Sequence, residues 1–377
     1  MGAHIARRDW LRNTSLATLG LGFSLRSMAG EDNLPYNFES QTGLIILGAN
    51  ENPYGISTKA KEAIKEMMPY VNRYSGNVPL IQTFKKELAD FYKLNTDQVL
   101  IMPGSGEGLR LIARQYSNGN LVTANPTFGI LPATAKKIGT EVIEVPLTED
   151  KVHDLPAMLK AATEKTALVY IVNPANPTAT IVKPAALKSF CVEASKKAMV
   201  LVDEAYIDFL NAPDNESMIS LIHDNPNIIV MGTFSKIHGM AGLRIGYVFA
   251  HAATIKKLQD GYFDNPQYGV SNLAQYAAMA SLKDADHRKM TKEKNAVARQ
   301  YTYDALTKMK LHCISSYTNF MFFNLGNYQG DFAADMLQKN ILVRSNIYPD
   351  GKWARVSFGT MDEMKQFITV MKQVFPS

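Results

Sequence analysis

Short apolar runs alternate with helix-like segments along this chain, and this alternation constrains its fold more than any other feature. Four of the runs are Val99–Met102, Ala167–Val172, Ala198–Val202 and Ile228–Met231. Each run ends in polar or turn residues, and segments with helical spacing of apolar residues, such as Pro184–Lys197, lie between them. Continuous apolar strands separated by helices are typical of parallel sheets that are covered on both faces. The sequence therefore predicts an α/β fold with a mostly parallel sheet sandwiched by helices.

The pattern changes after about residue 265, where long helix-like stretches are followed by a few short strands. We therefore expect a large α/β domain over residues 61–265 and a smaller α+β domain over residues 266–377, which residues 30–60 complete. A chain of 377 residues is long enough for two domains of ordinary size. We find no repeat with a period of about 20–50 residues, which argues against a solenoid or a propeller.

Residues 1–29 predict an export signal rather than a part of the fold. Arg7 and Arg8 precede an aromatic residue and Leu11, a weakly apolar stretch covers Leu16 to Phe23, and small residues flank Met28. This order is typical of twin-arginine signals, which export folded proteins to the periplasm. The apolar stretch is far shorter than the ~20 residues that span a bilayer, so we expect no stable membrane anchor. The alternative is an amphipathic N-terminal helix on a cytoplasmic protein.

Charge and cysteine content argue against several other classes of protein. The net charge is +5 and no long Lys/Arg run is present, so we expect no nucleic-acid partner. Cys191 and Cys313 are too few for a disulfide framework or a thiolate zinc site. We expect two packed thiols, with a single disulfide between them as the alternative. No second histidine lies close to His238 in the sequence, so we predict packing there and no metal site.

Polar residues follow the predicted strands at the points where the strands end. They are Ser105, Asn176, Asp203, Thr233, Ser235 and Lys236. Ligands of open parallel sheets bind in the crevice at the carboxyl ends of the strands. We therefore expect these side chains to meet in one site.

Three chemical functions are represented at these strand ends. The Lys236 amine can attack a carbonyl if it is shielded from water, although a solvated surface lysine is the default alternative. Asp203 ends a buried strand and needs a cationic partner, such as a protonated pyridine nitrogen; a helix N-cap is an equally compatible role. The glycine-rich run 104–108 opens a helix whose free N–H groups suit a phosphate, with Arg244 as a further donor. An amine, a buried acid and a phosphate site together indicate the cofactor pyridoxal 5′-phosphate.

With these features the chain resembles the fold-type I aminotransferases, and most closely their histidinol-phosphate aminotransferase branch. The motifs that carry the resemblance are Asn50-Glu51-Asn52-Pro53-Tyr54-Gly55, Asn72-Arg73-Tyr74, Asn173-Pro174-Ala175-Asn176-Pro177-Thr178, Asp203-Glu204-Ala205-Tyr206, Ser235-Lys236, Gly242-Leu243-Arg244-Ile245-Gly246-Tyr247 and Arg355-Val356-Ser357-Phe358-Gly359-Thr360. The resemblance implies transfer of an amino group between an amino acid or amine, histidinol-phosphate-like or aromatic, and a 2-oxo acid. It leaves the particular amino donor open.

The resemblance also implies roles for residues around the cofactor ring. Lys236 would form an aldimine with the cofactor and move the proton during the reaction. Asp203 would pair with the pyridine nitrogen, while Asn176 and Tyr206 would hydrogen-bond the ring hydroxyl. Phe128 would stack on the ring. Packing in the core, without a role in binding, is the alternative for both aromatic residues.

Further roles concern the phosphate and the substrate. The phosphate ligands implied by the resemblance are Ser105, Gly106, Glu107, Thr233, Ser235 and Arg244, the first three partly through their backbone. Tyr74 would reach the phosphate site of the partner in a homodimer. Arg355 would bind the substrate α-carboxylate, and Asn52, Tyr54 and Arg344 would face the rest of the substrate. A surface salt bridge is the alternative for Arg344, and a packed ring is the alternative for Tyr54.

Ala179 departs from the family pattern, because the family prefers glycine after the Asn-Pro-Thr of this loop. Two other functions remain compatible with the same residues. A pyridoxal-phosphate-dependent decarboxylase or lyase on the same fold would also use Lys236 and Asp203. A non-catalytic binding protein is the third possibility, and the presence of Lys236, Asp203 and Arg355 together argues against it.

Overall fold

A seven-stranded sheet forms the centre of the computed structural model, which describes residues 43–74, 80–261 and 269–375. The strands of the chain are β1 (Ile45–Ile46), β2 (Val99–Met102), β3 (Asn120–Asn125), β4 (Val142–Pro146), β5 (Thr166–Val172), β6 (Met199–Asp203), β7 (Ile228–Thr233), β8 (Gly246–Ala250), β9 (Phe320–Asn324), β10 (Ile341–Leu342), β11 (Arg344–Tyr348) and β12 (Gly351–Ser357). The central sheet has the order β2-β8-β7-β6-β5-β3-β4. Strand β8 is antiparallel to both of its neighbours, and the other contacts in the sheet are parallel.

Helices cover this sheet on both faces. The helices are α1 (Thr58–Met67), α2 (Leu80–Tyr92), α3 (Ser105–Gln115), α4 (Ile130–Lys137), α5 (Leu155–Ala161), α6 (Pro184–Ala194), α7 (Pro213–Glu216), α8 (Ala252–Asp260), α9 (Asn272–Leu282), α10 (Ala285–Lys308), α11 (Phe332–Leu337) and α12 (Met361–Val374). Successive residues of the central strands alternate between two separate hydrophobic clusters, one on each face. Burial on both faces explains why these strands are apolar without interruption. The predicted fold class is therefore confirmed.

A second, smaller sheet lies in the C-terminal part of the chain. Strands β11, β12 and β9 form an antiparallel sheet in that order, and its core includes residues of α10, α11 and α12. Strand β1 pairs in parallel with β10, and the Ser357 amide donates a hydrogen bond of 2.8 Å to the Leu47 carbonyl. Residues from the N-terminal part of the chain thus join the smaller sheet.

The predicted domain boundaries stay predictions, although the hydrophobic contacts of one helix are relevant to the boundary at residue 265. Helix α9 follows the boundary predicted at residue 265, but its buried residues belong to a cluster of the central sheet. The predicted export signal, residues 1–29, lies outside the described residues. Within the described ranges, none of the helices combines the length and the apolar composition that a bilayer span requires.

Both cysteines are free thiols in separate cores, Cys191 at the central sheet and Cys313 at the smaller sheet. Burial raises the pKa of each thiol to about 12. The disulfide alternative is therefore not realised. In the part of the chain that the structure describes, no group of three His, Cys, Asp or Glu residues is arranged to hold a metal ion.

The sheet register places the functional strand ends along one edge. Asp203 pairs with Val172 of β5 and with Met231 of β7. Thr233, at the end of β7, pairs with Gly246 of β8. These residues therefore share the carboxyl edge of the parallel strands, where ligands of such sheets bind.

Candidate active site

The N-terminus of α3, the end of β7 and Arg244 form a small polar cradle. A Cβ atom at Gly104 would stand 2.5 Å from Nη2 of Arg244, so the guanidinium lies directly against the turn that opens α3. A Cβ atom at Gly246 would stand 2.6 Å from the amide nitrogen of Ser105, which brings β8 equally close. The Thr233 hydroxyl donates a hydrogen bond of 3.0 Å to the Ser235 hydroxyl. Helix N–H groups, two hydroxyls and a guanidinium in one place suit a phosphate monoester.

Backbone conformation supports this cradle. Gly104 has a φ of 86°, which favours glycine. Arg244 has a φ of 52°, a left-handed conformation that is costly for a side chain of this size. Strained backbone of this kind concentrates at binding sites. Gly106 is buried in the first turn of α3, whereas the Glu107 carboxylate pairs with Arg110 at 2.7 Å. The Glu107 side chain is thus held by its own helix.

Asp203 is almost fully buried at the end of β6. Its carboxylate accepts hydrogen bonds from the Ala205 amide at 3.1 Å and from the Tyr170 hydroxyl at 3.3 Å. Burial raises the pKa of Asp203 to about 6, while these two hydrogen bonds and the nearby charge of Lys236 oppose the rise. The next short helical turn, Ile207–Phe209, has no side-chain cap, so the N-cap alternative is wrong. A positive charge beside this carboxylate would offset the cost of its burial.

Lys236, Tyr206 and Asn176 lie together beside the segment that precedes α1. The Tyr206 hydroxyl accepts hydrogen bonds from Nδ2 of Asn50 at 2.9 Å and from Nδ2 of Asn176 at 3.3 Å. Lys236 Nζ lies 5.7 Å from the centre of the Tyr206 ring and donates a hydrogen bond of 3.3 Å to the Ala49 carbonyl. Lys236 is half-buried, so it is not a solvated surface lysine. Tyr206 is 3% exposed, and its hydrogen bonds distinguish it from a purely packed ring.

Two arginines extend the site toward the smaller sheet. Arg355 donates hydrogen bonds from Nη1 to Oδ1 of Asn176 at 2.8 Å and from Nη2 to the Gly48 carbonyl at 2.7 Å. Arg344 Nε donates to the same Gly48 carbonyl at 2.8 Å. The two arginines are direct cross-strand partners in β11 and β12. The ion pairs among the described residues do not include Arg344, which argues against a surface salt bridge as its role.

The remaining predicted residues are less closely connected to this group. Asn52 Nδ2 donates to the Ile237 carbonyl at 2.9 Å, which places Asn52 beside the residue that follows Lys236. The Tyr54 ring is half-buried, with Lys294 Nζ at 4.9 Å from its centre. Phe128 is half-buried and packs against the sheet face to which Tyr170 belongs. Tyr74 is 84% exposed, and among the residues that the structure describes no hydrogen bond or ring contact connects it to the site.

Sequence reasoning gave no role to Asn50, although it opens one of the quoted motifs. Asn50 is 1% exposed and has a φ of 55°, a conformation that asparagine tolerates better than most residues. Its Oδ1 accepts a hydrogen bond of 3.1 Å from the Ser357 hydroxyl while its Nδ2 binds Tyr206. Asn50 therefore joins the smaller sheet to the ring of polar groups at Lys236. Ala179 adopts a φ of 62°, so the departure from glycine falls on a left-handed turn.

Comparisons with known proteins agree with this geometry. Residues 42–371 match the family model of aminotransferase class I and II. Histidinol-phosphate aminotransferases of Brevibacillus brevis and Caldicellulosiruptor saccharolyticus are 34% and 35% identical, each over 88% of this chain and 91% and 92% of their own lengths. The solved structure of a putative histidinol-phosphate aminotransferase from Erwinia carotovora atroseptica has a TM-score of 0.82 at 31% identity, covering 88% of this chain and 95% of its own. That of the Sinorhizobium meliloti enzyme, in complex with pyridoxal-5′-phosphate, has a TM-score of 0.80 at 25% identity, covering 94% and 98%.

Fold and site together define a fold-type I enzyme that uses pyridoxal 5′-phosphate. The chain belongs to the class I and II aminotransferase family and is a pyridoxal-phosphate-dependent aminotransferase. An L-threonine-O-3-phosphate decarboxylase from Porphyromonas gingivalis shares the fold with a TM-score of 0.75 at 19% identity, covering 89% of this chain and 100% of its own. That likeness shows the fold alone, so the decarboxylase alternative is not favoured.

The residues present fit this cofactor on two structural observations. The cradle offers phosphate donors, with the Arg244 guanidinium so close to the turn that a Cβ atom at Gly104 would stand 2.5 Å from Nη2. The buried Asp203 carboxylate, whose pKa is raised by burial, would gain from a ring nitrogen that carries a proton. Lys236 lies near enough to Asp203 for its charge to lower the pKa of that carboxyl, and its Nζ is 5.7 Å from the centre of the Tyr206 ring. The individual residue roles stay predictions, which the experiments below test.

Proposed function

We propose that this aminotransferase acts on amino donors that carry a phosphate monoester, with histidinol phosphate as the first candidate, and on a dicarboxylic 2-oxo acid as acceptor. The observation that carries the proposal is the convergence of Arg344 and Arg355 on the single carbonyl oxygen of Gly48. One guanidinium suffices for an α-carboxylate. A second guanidinium fixed beside it suits a dianionic phosphate in one half-reaction and a second carboxylate in the other.

The related proteins support the same class of donor. The relatives from Brevibacillus brevis and Caldicellulosiruptor saccharolyticus are named histidinol-phosphate aminotransferases and match nearly their whole length. Arg355 is half-buried and hydrogen-bonded to Asn176, so its guanidinium group is already oriented before a substrate binds. Arg344 is exposed and is held through Nε, so this hydrogen bond does not use its two terminal nitrogens. This division fits a fixed anchor and a more adaptable side-chain contact.

The residues of the chain divide the chemistry among them. Bound pyridoxal phosphate supplies an aldehyde that accepts the amino group and a ring that delocalises the electron pair left at the substrate Cα. Lys236 would hold the cofactor through its amine and would act as general base and acid that moves the proton at the substrate Cα. Asp203 keeps the ring nitrogen protonated. Asn176 and Tyr206 orient the ring hydroxyl, and Arg355 orients the substrate.

Arg344→Ala tests the proposed donor. We expect kcat/KM for the half-reaction with histidinol phosphate to fall about 10²-fold, because a charge-assisted contact of ~2–3 kcal/mol is lost. The half-reaction with an uncharged aromatic donor such as phenylalanine should change much less. Each half-reaction is measured without a 2-oxo acid, by following the pyridoxamine form of the cofactor. Arg344→Lys should retain part of the activity toward the phosphorylated donor.

Arg114→Ala is the matched control, because Arg114 is an exposed arginine in the last turn of α3. It should leave both half-reactions unchanged. Equal losses for both donors in Arg344→Ala, or no loss for either, would contradict the phosphorylated donor. Inactivity of the unmodified protein with every phosphorylated donor would contradict it as well.

We also infer a homodimer in which Tyr74 reaches the phosphate site of the partner. Met68, Tyr70, Val71 and Tyr74 are large apolar or aromatic side chains that follow one another closely in the sequence. Their exposed fractions are 52%, 57%, 54% and 84%. Several exposed apolar and aromatic side chains within one short segment are typical of a protein interface. Tyr74, the most exposed of the four, would then be buried against a second copy of the chain.

Mixing two inactive variants tests this arrangement. Tyr74→Glu places a negative charge where the phosphate is expected, and Lys236→Ala removes the catalytic amine. If Tyr74 acts on the partner, a random mixture contains one intact site in each hybrid dimer and recovers about one quarter of the normal activity. If Tyr74 acts on its own subunit, or if the protein stays monomeric by light scattering, the mixture recovers no activity and the inference is wrong.

We further propose that the protein is exported to the periplasm after it has folded around its cofactor. The support is the order of Arg7, Arg8, the apolar stretch and Ala29 in the sequence. Export of the folded protein suits an enzyme that must load a cofactor in the cytoplasm. A mature N-terminus at Gly30 in the periplasmic fraction would support the proposal, and an intact Met1 there would contradict cleavage.

A further inference from the structure

Tyr170, which lies in an apolar strand, contacts Asp203, the buried acid of the site. Tyr170 lies in β5, is 0% exposed and belongs to the hydrophobic cluster on one face of the central sheet. Its neighbours in the sequence are apolar, and its ring packs as one of the largest fully buried side chains. Its hydroxyl donates a hydrogen bond of 3.3 Å to Oδ2 of Asp203 on the adjacent strand. A buried hydroxyl that binds a buried carboxylate is a polar contact inside an otherwise apolar layer.

The surroundings of Asp203 limit what this hydroxyl can do. Oδ1 of Asp203 accepts the Ala205 amide, so each carboxylate oxygen already has one donor. The charged and titratable groups that act on Asp203 or Tyr170 are Lys236 beyond β7, Glu204 next along the chain and Tyr206. An ionised carboxylate can accept about four hydrogen bonds, so capacity remains for a donor from the cofactor side.

We propose that Tyr170 is a positioning residue that holds the Asp203 carboxylate in its ionised form and in the orientation that receives the N–H of the cofactor ring. The hydroxyl donates to the carboxylate and to nothing else among the described residues. The diagonal contact between neighbouring parallel strands fixes the rotation of the carboxylate. Tyr170 itself needs no contact with the cofactor. This inference rests on the proposed role of Asp203.

The direction of the effect follows from the charges. Burial disfavours the ionised form of Asp203, and the Tyr170 hydrogen bond is one of the few contacts that favour it. The same burial and the neighbouring Asp203 raise the pKa of Tyr170 well above its ordinary value, so its hydroxyl keeps its proton and stays a donor. Without the hydroxyl, Asp203 would take up a proton at a higher pH. A protonated Asp203 has no negative charge with which to stabilise a protonated ring nitrogen.

Tyr170→Phe tests the proposal, because it removes the hydroxyl and keeps the ring in the core. The apoprotein is titrated with pyridoxal phosphate at a series of pH values from about 5 to 8, and the dissociation constant is read at each pH. Unmodified protein should bind more weakly below pH about 6, the pKa to which burial raises Asp203. In Tyr170→Phe the pH below which cofactor binding weakens should be about one unit higher, as expected for the loss of one hydrogen bond to a charged acceptor. Within the shifted range, affinity should be about tenfold lower than that of the unmodified protein.

Tyr116→Phe is the matched control. The Tyr116 hydroxyl is also buried and has no hydrogen-bond partner among the described residues, and it lies with Thr166 and Met199 at the amino ends of β5 and β6. In Tyr116→Phe, cofactor binding should weaken below the same pH as in the unmodified protein. In an Asp203→Asn background, Tyr170→Phe should cause no further shift, because the group that titrates is absent.

The possible results distinguish a failure of the role proposed for Tyr170 from a failure of the cofactor assignment. The proposal would be overturned if the pH below which cofactor binding weakens were the same in Tyr170→Phe as in the unmodified protein. An equal loss of affinity at every pH would also overturn it, because it would show a merely structural role. Absence of any binding by the unmodified apoprotein would overturn both the proposal and the assignment of the cofactor. If the unmodified protein binds the cofactor normally and Tyr170→Phe shows the same pH dependence, only the role of Tyr170 is wrong and the proposed function stands.

Discussion

Replacing Lys236 by alanine is expected to lower transamination at least about 10⁴-fold, the largest effect of any single substitution in this site. In the proposed mechanism, the variant lacks both the amine that would hold the cofactor and the group that would move the proton at the substrate Cα. The structure places this amine in a half-buried position, 5.7 Å from the centre of the Tyr206 ring and hydrogen-bonded to the Ala49 carbonyl. Formation of the keto product from the amino donor measures the loss.

Lys256→Ala provides the matched control for this prediction. Lys256 is an exposed lysine that pairs with Asp260 within α8, far from the site in the fold. It should retain the activity of the unmodified protein. Full activity in Lys236→Ala, with bound cofactor of unchanged absorbance, would show that a different lysine performs the chemistry.

Asp203→Asn is expected to lower kcat/KM about 10³-fold, in line with the ~3–5 kcal/mol that breaking a buried charge pair costs. The substitution keeps the shape of the side chain and removes its charge, so the ring nitrogen loses the group that keeps it protonated. A weaker electron sink slows proton removal from the substrate Cα. Asp208→Asn is the control, because Asp208 is a half-buried acid whose pKa desolvation also raises to about 6, but Arg288 and Lys292 are the cations near it.

A modified cofactor makes the test of Asp203 sharper. Pyridoxal phosphate that is methylated on its ring nitrogen carries a permanent positive charge. If the role of Asp203 is to keep that nitrogen charged, the methylated cofactor should restore part of the activity of Asp203→Asn. No recovery with the methylated cofactor would contradict this role, and so would normal activity of Asp203→Asn with the ordinary cofactor.

The sequence predicts the central sheet and the main chemical groups because each signal is local. A buried parallel strand is a continuous apolar run, and the polar residue that ends it lies next to it in the chain. Asp203 and Lys236 could be found in this way. Strand β8 was not predicted, because Gly246 and Tyr247 belong to a glycine-rich motif that resembles a loop. Its antiparallel direction follows from pairing with β2 and β7, which local spacing does not encode.

Contacts between distant parts of the chain could not be predicted in the same way. Asn50 and Tyr206 are 156 residues apart, and their hydrogen bond depends on how the N-terminal segment crosses the smaller sheet. Tyr170 looks like any other residue of an apolar strand, since its hydroxyl finds Asp203 only through the register of β5 and β6. The convergence of Arg344 and Arg355 on Gly48 likewise requires the β11–β12 pairing.

The central claim is that Lys236 forms the covalent link to the cofactor, and chemical trapping tests it most directly. The protein is loaded with pyridoxal phosphate, reduced with borohydride, digested and mapped by mass spectrometry. We predict a phosphopyridoxyl group on the peptide that contains Lys236 and none on that peptide after addition of an amino donor before reduction. A phosphopyridoxyl group on a different lysine, or a loaded protein with no covalent label, would contradict the account.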